Sequence, residues 1–193
     1  MKTKVVNLKN NLKAKLTFEQ MDDYYSIYAK DNSNKTVGCC NLSIVMNFAR
    51  GLTECQREAY AKTHKLKIEE TPTHAFAKLS PKKVNEHTKV GDKIKIGNNL
   101  YSHINSYCTL DKIEVTDSTY HKVGLGSAML QFAIEFAEQN NCDKIEAFVY
   151  PNGQFKFSTL EFYKNNGFVF NKNNYATKQL SNAKISTIST STI

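Results

Sequence analysis

The sequence predicts an α/β (α+β) fold, and three observations carry that expectation. The second half of the chain orders its patterns as strand, glycine turn, helix, strand, helix, strand. In the first of those strands, Cys108 to Val115, the apolar residues Leu110, Ile113 and Val115 break strict alternation. The phase slips between Leu110 and Ile113, as a β-bulge makes it slip. Finally, 193 residues with 40% apolar content suffice for one domain with a sizeable core, or one domain with an extension.

Taken in order, Val5 to Leu8 reads as a short strand. A helix is expected from Thr17, an N-cap whose capping box is completed by Gln20. It runs to about Ala29 and stops at the polar cluster Asp31-Asn32-Ser33-Asn34. A second helical region is expected over roughly Leu42 to His64, with Val45, Phe48 and Ala49 at helical spacing and Gly51 as a candidate break. Strands follow at His74–Leu79 and Lys93–Ile96. Gly97-Asn98-Asn99 is a turn signal, and Leu100–Tyr107 starts another strand. After the strand Cys108–Val115 and a polar connection, Val123-Gly124-Leu125-Gly126-Ser127-Ala128 opens a helix that runs to about Asn140. Met129, Phe132, Ala133 and Phe136 lie on one face of it, Glu135, Glu138 and Gln139 on the other. Lys144–Tyr150 is a strand, with Ile145, Ala147 and Val149 alternating against Glu146, Phe148 and Tyr150. Pro151-Asn152-Gly153 is a turn. Ser158 caps a short helix through Tyr163 and Lys164 that ends at Asn166-Gly167, and Phe168-Val169-Phe170 begins one more strand. Ile185–Ile193 fits either a last strand or a frayed tail. Residues 1–100 are thus expected to form the N-terminal part of the fold, 101–180 its motif-bearing core, and 181–193 a terminal strand or tail.

Composition narrows the partners. No apolar run is long enough to span a bilayer, and the lysines of Met1–Lys15 precede no apolar segment, so neither a membrane span nor a secretory signal is expected. The odd number of cysteines, Cys39, Cys40, Cys55, Cys108 and Cys142, without a CxxC pair, reads as reduced thiols in a cytoplasmic protein with no metal site. The net charge of +8 attracts acidic partners, but only Arg50 and Arg57 are arginine, the preferred reader of phosphates and guanine. Nucleic acid is therefore the less favoured partner, and a solvated lysine surface the simpler reading. The richness in Lys, Asn and Ile hints at a bacterial or phage origin. A monomer or a homodimer fits equally.

The chemistry concentrates at Gly124 and Gly126. A turn from strand into helix points free N–H groups at whatever lies before the helix, a ready phosphate site, and glycines let a ligand approach the backbone. A purely structural turn would look the same. A P-loop is excluded because no Gly-Lys-Ser/Thr run exists, and the dinucleotide fingerprint because Met129 stands where its third glycine or alanine belongs.

The order of motifs from Leu110 to Phe170 resembles the GNAT superfamily of N-acetyltransferases. Leu110-Asp111-Lys112-Ile113-Glu114-Val115 is similar to that family's bulged central strand. His121-Lys122-Val123-Gly124-Leu125-Gly126 is similar to its cofactor loop, Gln/Arg-x-x-Gly-x-Gly/Ala. Leu160-Glu161-Phe162-Tyr163-Lys164-Asn165-Asn166-Gly167-Phe168 is similar to its Tyr-x-x-x-Gly-Phe segment. Departures are His121 in place of Gln or Arg, Lys156 where many members have Asn, and a longer region before the central strand.

The resemblance implies a mixed, mostly antiparallel sheet flanked by helices, with acetyl-CoA as cosubstrate bound by the 101–180 core. The pantetheine arm would pair with the backbone of Ile113 and Val115. The pyrophosphate would sit on N–H groups between Val123 and Ser127, with His121, Lys122, Val123, Gly124, Leu125, Gly126 and Ser127 around it. An amine would attack the thioester directly. A lysine-like amine has a pKa near 10.4, so freeing it near neutral pH costs about 4 to 5 kcal/mol, and a base helps. Glu114 and Glu146 are the candidates, although a carboxylate on an exposed strand face is more often simply solvated. Tyr163 matches the family's tyrosine and would donate to the leaving thiolate; otherwise it is a core tyrosine. Ser127 either binds phosphate or caps the helix. The acceptor is a protein lysine, a protein N-terminus, a small amine or an aminoacyl-tRNA. The alternative is a weak or inactive protein of the same fold that binds partners, phage or mobile-element encoded.

Overall fold

The computed structural model describes residues 3–22, 24–48, 62, 67–71, 74–79, 93–96, 99–149 and 156–180. In the N-terminal part the decisive pattern has period two. Ala14, Leu16 and Phe18 alternate with polar residues, Tyr25, Ile27 and Ala29 do so with Ser26 and Tyr28, and Cys40, Leu42 and Ile44 continue the rhythm. The chain accordingly forms β1 (Thr3–Asn7), β2 (Lys13–Gln20), β3 (Tyr25–Lys30) and β4 (Thr36–Phe48), each antiparallel to the one before.

The helix expected over Thr17–Ala29 is therefore a hairpin, and the helical region expected from Leu42 begins as strand through Phe48. Of the remainder of that region only Lys62 is described. Magnitudes explain the outcome. A cap at Thr17 is worth about 1 kcal/mol. Burying Leu16, Ile27, Leu42 and Ile44, each 0% exposed, contributes roughly 1.5–3 kcal/mol apiece. The turn expected at Asp31–Asn34 forms, closed by Asp31 Oδ1 accepting from the N–H groups of Ser33 and Lys35 at 2.8 and 2.9 Å.

Further along, β5 (Lys67–Thr71) precedes β6 (His74–Leu79) and β7 (Lys93–Ile96), the latter two where expected. The strands expected at Leu100–Tyr107 and Cys108–Val115 are a single strand, β8 (Asn99–Val115). Then come α1 (Leu125–Gln139), β9 (Cys142–Phe148), α2 (Lys156–Asn165), β10 (Val169–Phe170) and β11 (Tyr175–Gln179). Ser158 lies inside α2 rather than capping it. β11 has one fully buried residue, Ala176, and no apolar alternation by which to recognise it. The turn expected at 151–153 and the segment 185–193 lie outside the described residues.

The sheet runs β1-β2-β3-β4-β8-β9-β11-β10, mixed and mostly antiparallel as expected, with the helix α1 joining the parallel neighbours β8 and β9. Past Leu42, β4 exchanges β3 for β6, pairing Ile44 with Leu79. One sheet face, carrying Leu16, Ile27, Cys40, Leu42, Cys108, Leu110, Ile145 and Ala147, is buried under Leu125, Met129, Leu130 and Ala133 of α1. Gly38 lets α1 come close: a Cβ there would stand 2.9 Å from Glu114 O and 3.1 Å from Met129 Cε. The opposite face is polar, with Ser26 Oγ donating to Asn41 Oδ1 at 2.6 Å.

Candidate functional site

The site begins with a register change in β8. Leu42 of β4 faces Leu110 and Asn41 faces Lys112, so Asp111 is an extra residue, and the slip expected between Leu110 and Ile113 is a β-bulge. The Asp111 carboxylate accepts from Ser43 Oγ at 2.8 Å and from Thr109 Oγ1 at 3.1 Å, which satisfies a Ser43 hydroxyl only 1% exposed. The parallel ladder between β8 and β9 ends at the same place, with Leu110 against Ala147. Beyond it Lys112–Val115 stay paired to β4, while β9 continues along β11. The two central strands part, and between them β8 presents backbone that has lost its β9 partner.

Alternation then sorts the side chains of the parted segment. Ile113 and Val115 pack toward the core. Lys112 and Glu114 point to the polar face and form an ion pair at 2.7 Å; hydrogen bonding to Glu114 holds the Lys112 ammonium above its usual range.

The connection to α1 is held by local bonds. Asp117 accepts from the Thr119 N–H at 3.0 Å and pairs with Lys35 at 2.8 Å, and these contacts, Lys35 first, lower its carboxyl to about 2. His121 Nε2 lies 3.0 Å from the Val115 carbonyl oxygen, tying the loop to the end of β8. Lys122 and Gly124 adopt positive φ, 58° and 99°. Buried Val123 gives its carbonyl to the Lys9 N–H at 3.0 Å. Leu125 is fully buried beneath the first turn. As in any α-helix, the first N–H groups, those of Leu125, Gly126 and Ser127, have no carbonyl one turn back, and the helix dipole is positive there.

The two glycines serve different needs. Gly124 is the N-cap, and a Cβ on it would meet nothing within 4 Å, so its requirement is the left-handed φ. At Gly126 a Cβ would press on Phe162 Cε2 at 3.3 Å, so its requirement is space for α2. Ser127 sits within the helix rather than at its cap, its Oγ accepting from Asn166 Nδ2 at 3.3 Å.

Tyr163 is 5% exposed, its ring 5.2, 5.3 and 6.4 Å from those of Phe162, Phe168 and Phe170. Burial first, then the field of Cys40, pushes its hydroxyl well above the usual phenol range, and among the described residues none hydrogen-bonds that hydroxyl. Gly167 at φ 81° and a bond from the Phe168 N–H to the Tyr163 carbonyl at 3.0 Å terminate α2 just beyond it.

The two carboxylates named from sequence stand apart. Glu146 lies opposite Thr109, before the strands part, and is held by Lys144 at 2.6 Å and Thr177 at 3.2 Å. Glu114 lies past the bulge. Both are on the polar face, whereas Tyr163 is in the core on the α1 side.

Motif reading passed over three residues that the fold brings to this gap: Asp111 at the bulge, and Phe148 and Tyr175, which stack edge to face at 5.2 Å on the polar face. The phase slip marked the place of Asp111 and alternation marked Phe148 as a strand residue, but nothing in the sequence marked Tyr175. A cavity of about 630 Å³ lies elsewhere, at the far end of α1 among Phe18, Glu19, Phe132, Phe136 and Asn140. Helical rise over α1 puts that cavity roughly 20 Å from the glycine turn. Among the described residues no group of three or more His, Cys, Asp and Glu is placed to hold a metal, and no helix is long and apolar enough to cross a membrane.

Residues 101–168 match the acetyltransferase (GNAT) family. No curated protein matches the sequence. Among solved structures, an acetyltransferase of the GNAT family from Staphylococcus aureus Mu50 is 18% identical, covering 82% of this chain and 69% of that one, with a TM-score of 0.43. AtaTR bound with acetyl-CoA is 11% identical over 81% and 70% of the two chains, with a TM-score of 0.45. Arabidopsis thaliana NAA60 in complex with a bisubstrate analogue is 11% identical over 83% and 77%, with a TM-score of 0.44.

Proposed function

We propose that this chain, whose residues 101–168 match the acetyltransferase (GNAT) family, moves an acetyl group from acetyl-CoA to an amine by direct attack on the thioester. The observation that carries the proposal is the parting of β8 from β9 after the bulged Asp111, beside the N-terminus of α1. The pantetheine arm lies along the free edge of Ile113 and Val115. The pyrophosphate accepts from N–H groups between Val123 and Ser127, where the helix dipole favours negative charge on a chain of net charge +8.

Burial raises the thiols of Cys40 and Cys108 and pushes that of Cys142 up to about 12, so none of these three offers a thiolate to carry the acetyl group. The acceptor ammonium gives a proton to Glu114, its nitrogen bonds to the thioester carbon, and the C–S bond breaks. Tyr163, held neutral by burial, donates a hydrogen bond to the departing sulfur, which takes up the amine's second proton. Glu146 is the lesser base candidate, because Lys144 and Thr177 already engage it behind the gap. The acceptor remains one of a protein lysine, a protein N-terminus, a small amine or an aminoacyl-tRNA, in a cytoplasmic setting.

Thermal unfolding tests the cofactor. At a hundredfold excess over Kd, acetyl-CoA should stabilise the native state by about 2.7 kcal/mol, roughly 5–10 °C for a chain of this size. Ser127→Glu places a carboxylate in the first turn of α1, where it suits the helix dipole but repels phosphate. That variant should melt no lower than the parent without ligand and lose the acetyl-CoA shift. A variant that keeps the full shift would remove the phosphates from this turn.

A further inference from the structure

The cavity at the far end of α1 is charged against the trend of the chain. Its volume of about 630 Å³ falls in the range of small-molecule sites. One wall is aromatic. Phe132 and Phe136 stand one turn apart on α1, and Phe18 of β2 meets both, its ring 6.5 Å from that of Phe132 and 4.5 Å from that of Phe136. Tyr25 backs Phe136 at 4.7 Å, so the rings are set before any ligand arrives. The rest of the wall is polar. Among the described residues its ionisable members are acidic only, Glu19 and Glu135, in a chain with 26 basic and 18 acidic residues. α1 also ends here, at Asn140, with no basic side chain in its last turn, so the negative end of its dipole is left for another cation to offset. One ammonium already uses the edge of this wall. Lys4 reaches over from β1, its Nζ 2.7 and 3.0 Å from the two carboxylate oxygens of Glu135 and 6.0 Å from the centre of the Phe132 ring. A carboxylate beside an aromatic face is an arrangement that suits organic cations.

We propose that this cavity binds a small amphipathic monocation, an ammonium carrying an aromatic body. The body lies among Phe18, Phe132 and Phe136. The ammonium lies at the Glu135 side, where it competes with Lys4 for the carboxylate and meets the negative end of the helix dipole. Such a ligand gains twice from the rings, by burial of its apolar surface and by the attraction of its charge to their faces. A neutral ligand of the same shape gains only the first. An anion is repelled by Glu135 and by the helix end. The site is separate from the proposed chemistry, because helical rise along α1 puts it roughly 20 Å from the glycine turn. The inference therefore stands without the acetyl-CoA reading.

Calorimetry on the full chain, without coenzyme A, tests this with matched probes: phenylbutylamine, phenylbutanol and phenylbutyrate. The amine should bind about fivefold more tightly than the alcohol, and the carboxylate more weakly than either. Glu135→Gln keeps the side-chain shape and should weaken the amine about fivefold while leaving the alcohol unchanged. Lys4→Met keeps an apolar stem and removes the competing ammonium, so it should strengthen the amine by about twofold to fivefold. Gln20→Trp, at an exposed position two residues along β2 from Phe18, fills part of the cavity and should abolish binding of amine and alcohol alike. None of the three substitutions touches a buried side chain, so the variants should fold, and melting temperatures check that they do. No binding of the amine at concentrations up to about 10 mM would overturn the inference. So would equal affinity for amine and alcohol. An amine affinity unchanged by both Glu135→Gln and Gln20→Trp would place the ligand elsewhere and overturn it as well.

Discussion

The two segments of β8 on either side of Asp111 differ in one respect that organises the molecule. From Tyr107 to Leu110 the strand is paired on both sides, to β4 and to β9. From Lys112 to Val115 it is paired to β4 alone. The first segment buries Cys108 and Leu110 at 0% and 5% exposure and acts as a wall; the second leaves Ile113 and Val115 only partly buried and leaves an edge. A single inserted residue, held by Ser43 and Thr109, makes the difference. Stability and the proposed cofactor binding thus fall on adjoining stretches of one strand, which lets substitutions separate them.

The largest expected effect is on the proposed chemistry, at Tyr163 of α2. Tyr163→Phe keeps the ring contacts with Phe162, Phe168 and Phe170 and removes only the hydroxyl. If that hydroxyl donates to the leaving sulfur, the interaction is stronger in the transition state than in the ground state, and kcat should fall about 100- to 10,000-fold with KM little changed. Because burial raises this phenol, it stays protonated through neutral pH, so the parent's pH–rate profile between about 6 and 9 should owe nothing to it. Steady-state kinetics with an accepted amine decides the matter. Full activity in the variant would make Tyr163 a packing residue.

The paired segment should answer in stability instead. Leu110→Ala opens a cavity between β4, β9 and α1 and should cost about 2–5 kcal/mol. Val115→Ala, partly buried at the free edge, should cost about 1 kcal/mol and weaken acetyl-CoA binding more than Leu110→Ala does. Urea midpoints with and without acetyl-CoA measure both quantities. Equal costs at the two positions would erase the distinction between the segments.

How much of this was legible in the sequence follows the same boundary. The glycine turn, α1 and the bulge could be read because each is encoded locally: Gly124 requires a left-handed φ, α1 has a clean apolar face, and Asp111 interrupts an alternating run. The N-terminal hairpin was obscured by a competing local signal. Thr17 and Gln20 fit a capping box, yet Leu16, Ile27 and Leu42 gain far more by sharing one buried face of the sheet, a long-range effect that no local signal reports. β11 was invisible for a related reason. Tyr175 and Thr177 belong to a half-exposed face, so the strand is defined by its pairing to β9 rather than by any pattern of its own. Phe148 could be seen as an alternating residue, but its position at the gap depends on where the β8–β9 ladder ends, which only the register of the two strands shows.

The smallest expected effect concerns the link between the free edge and α1. Asp117 stands just after Val115, accepts from Thr119 N–H and pairs with Lys35, and its carboxyl is lowered from 3.8 to about 2. A carboxyl whose folded pKa is depressed stabilises the fold above its unfolded pKa and loses that contribution as pH falls through the folded value. Asp117→Asn keeps the shape, still offers a carbonyl oxygen to Thr119, and removes the charge that Lys35 meets. The parent should therefore melt slightly higher than the variant above about pH 4, and the difference should shrink toward zero as pH falls to about 2. The side chain is near the surface, so the effect should be modest and should diminish in high salt. Melting temperatures of both proteins between about pH 2 and 7, at low and high salt, measure it. A difference that persists unchanged at about pH 2 would mean that Asp117 acts through its shape alone, and that the charge pairing with Lys35 contributes nothing to holding the loop at the end of β8.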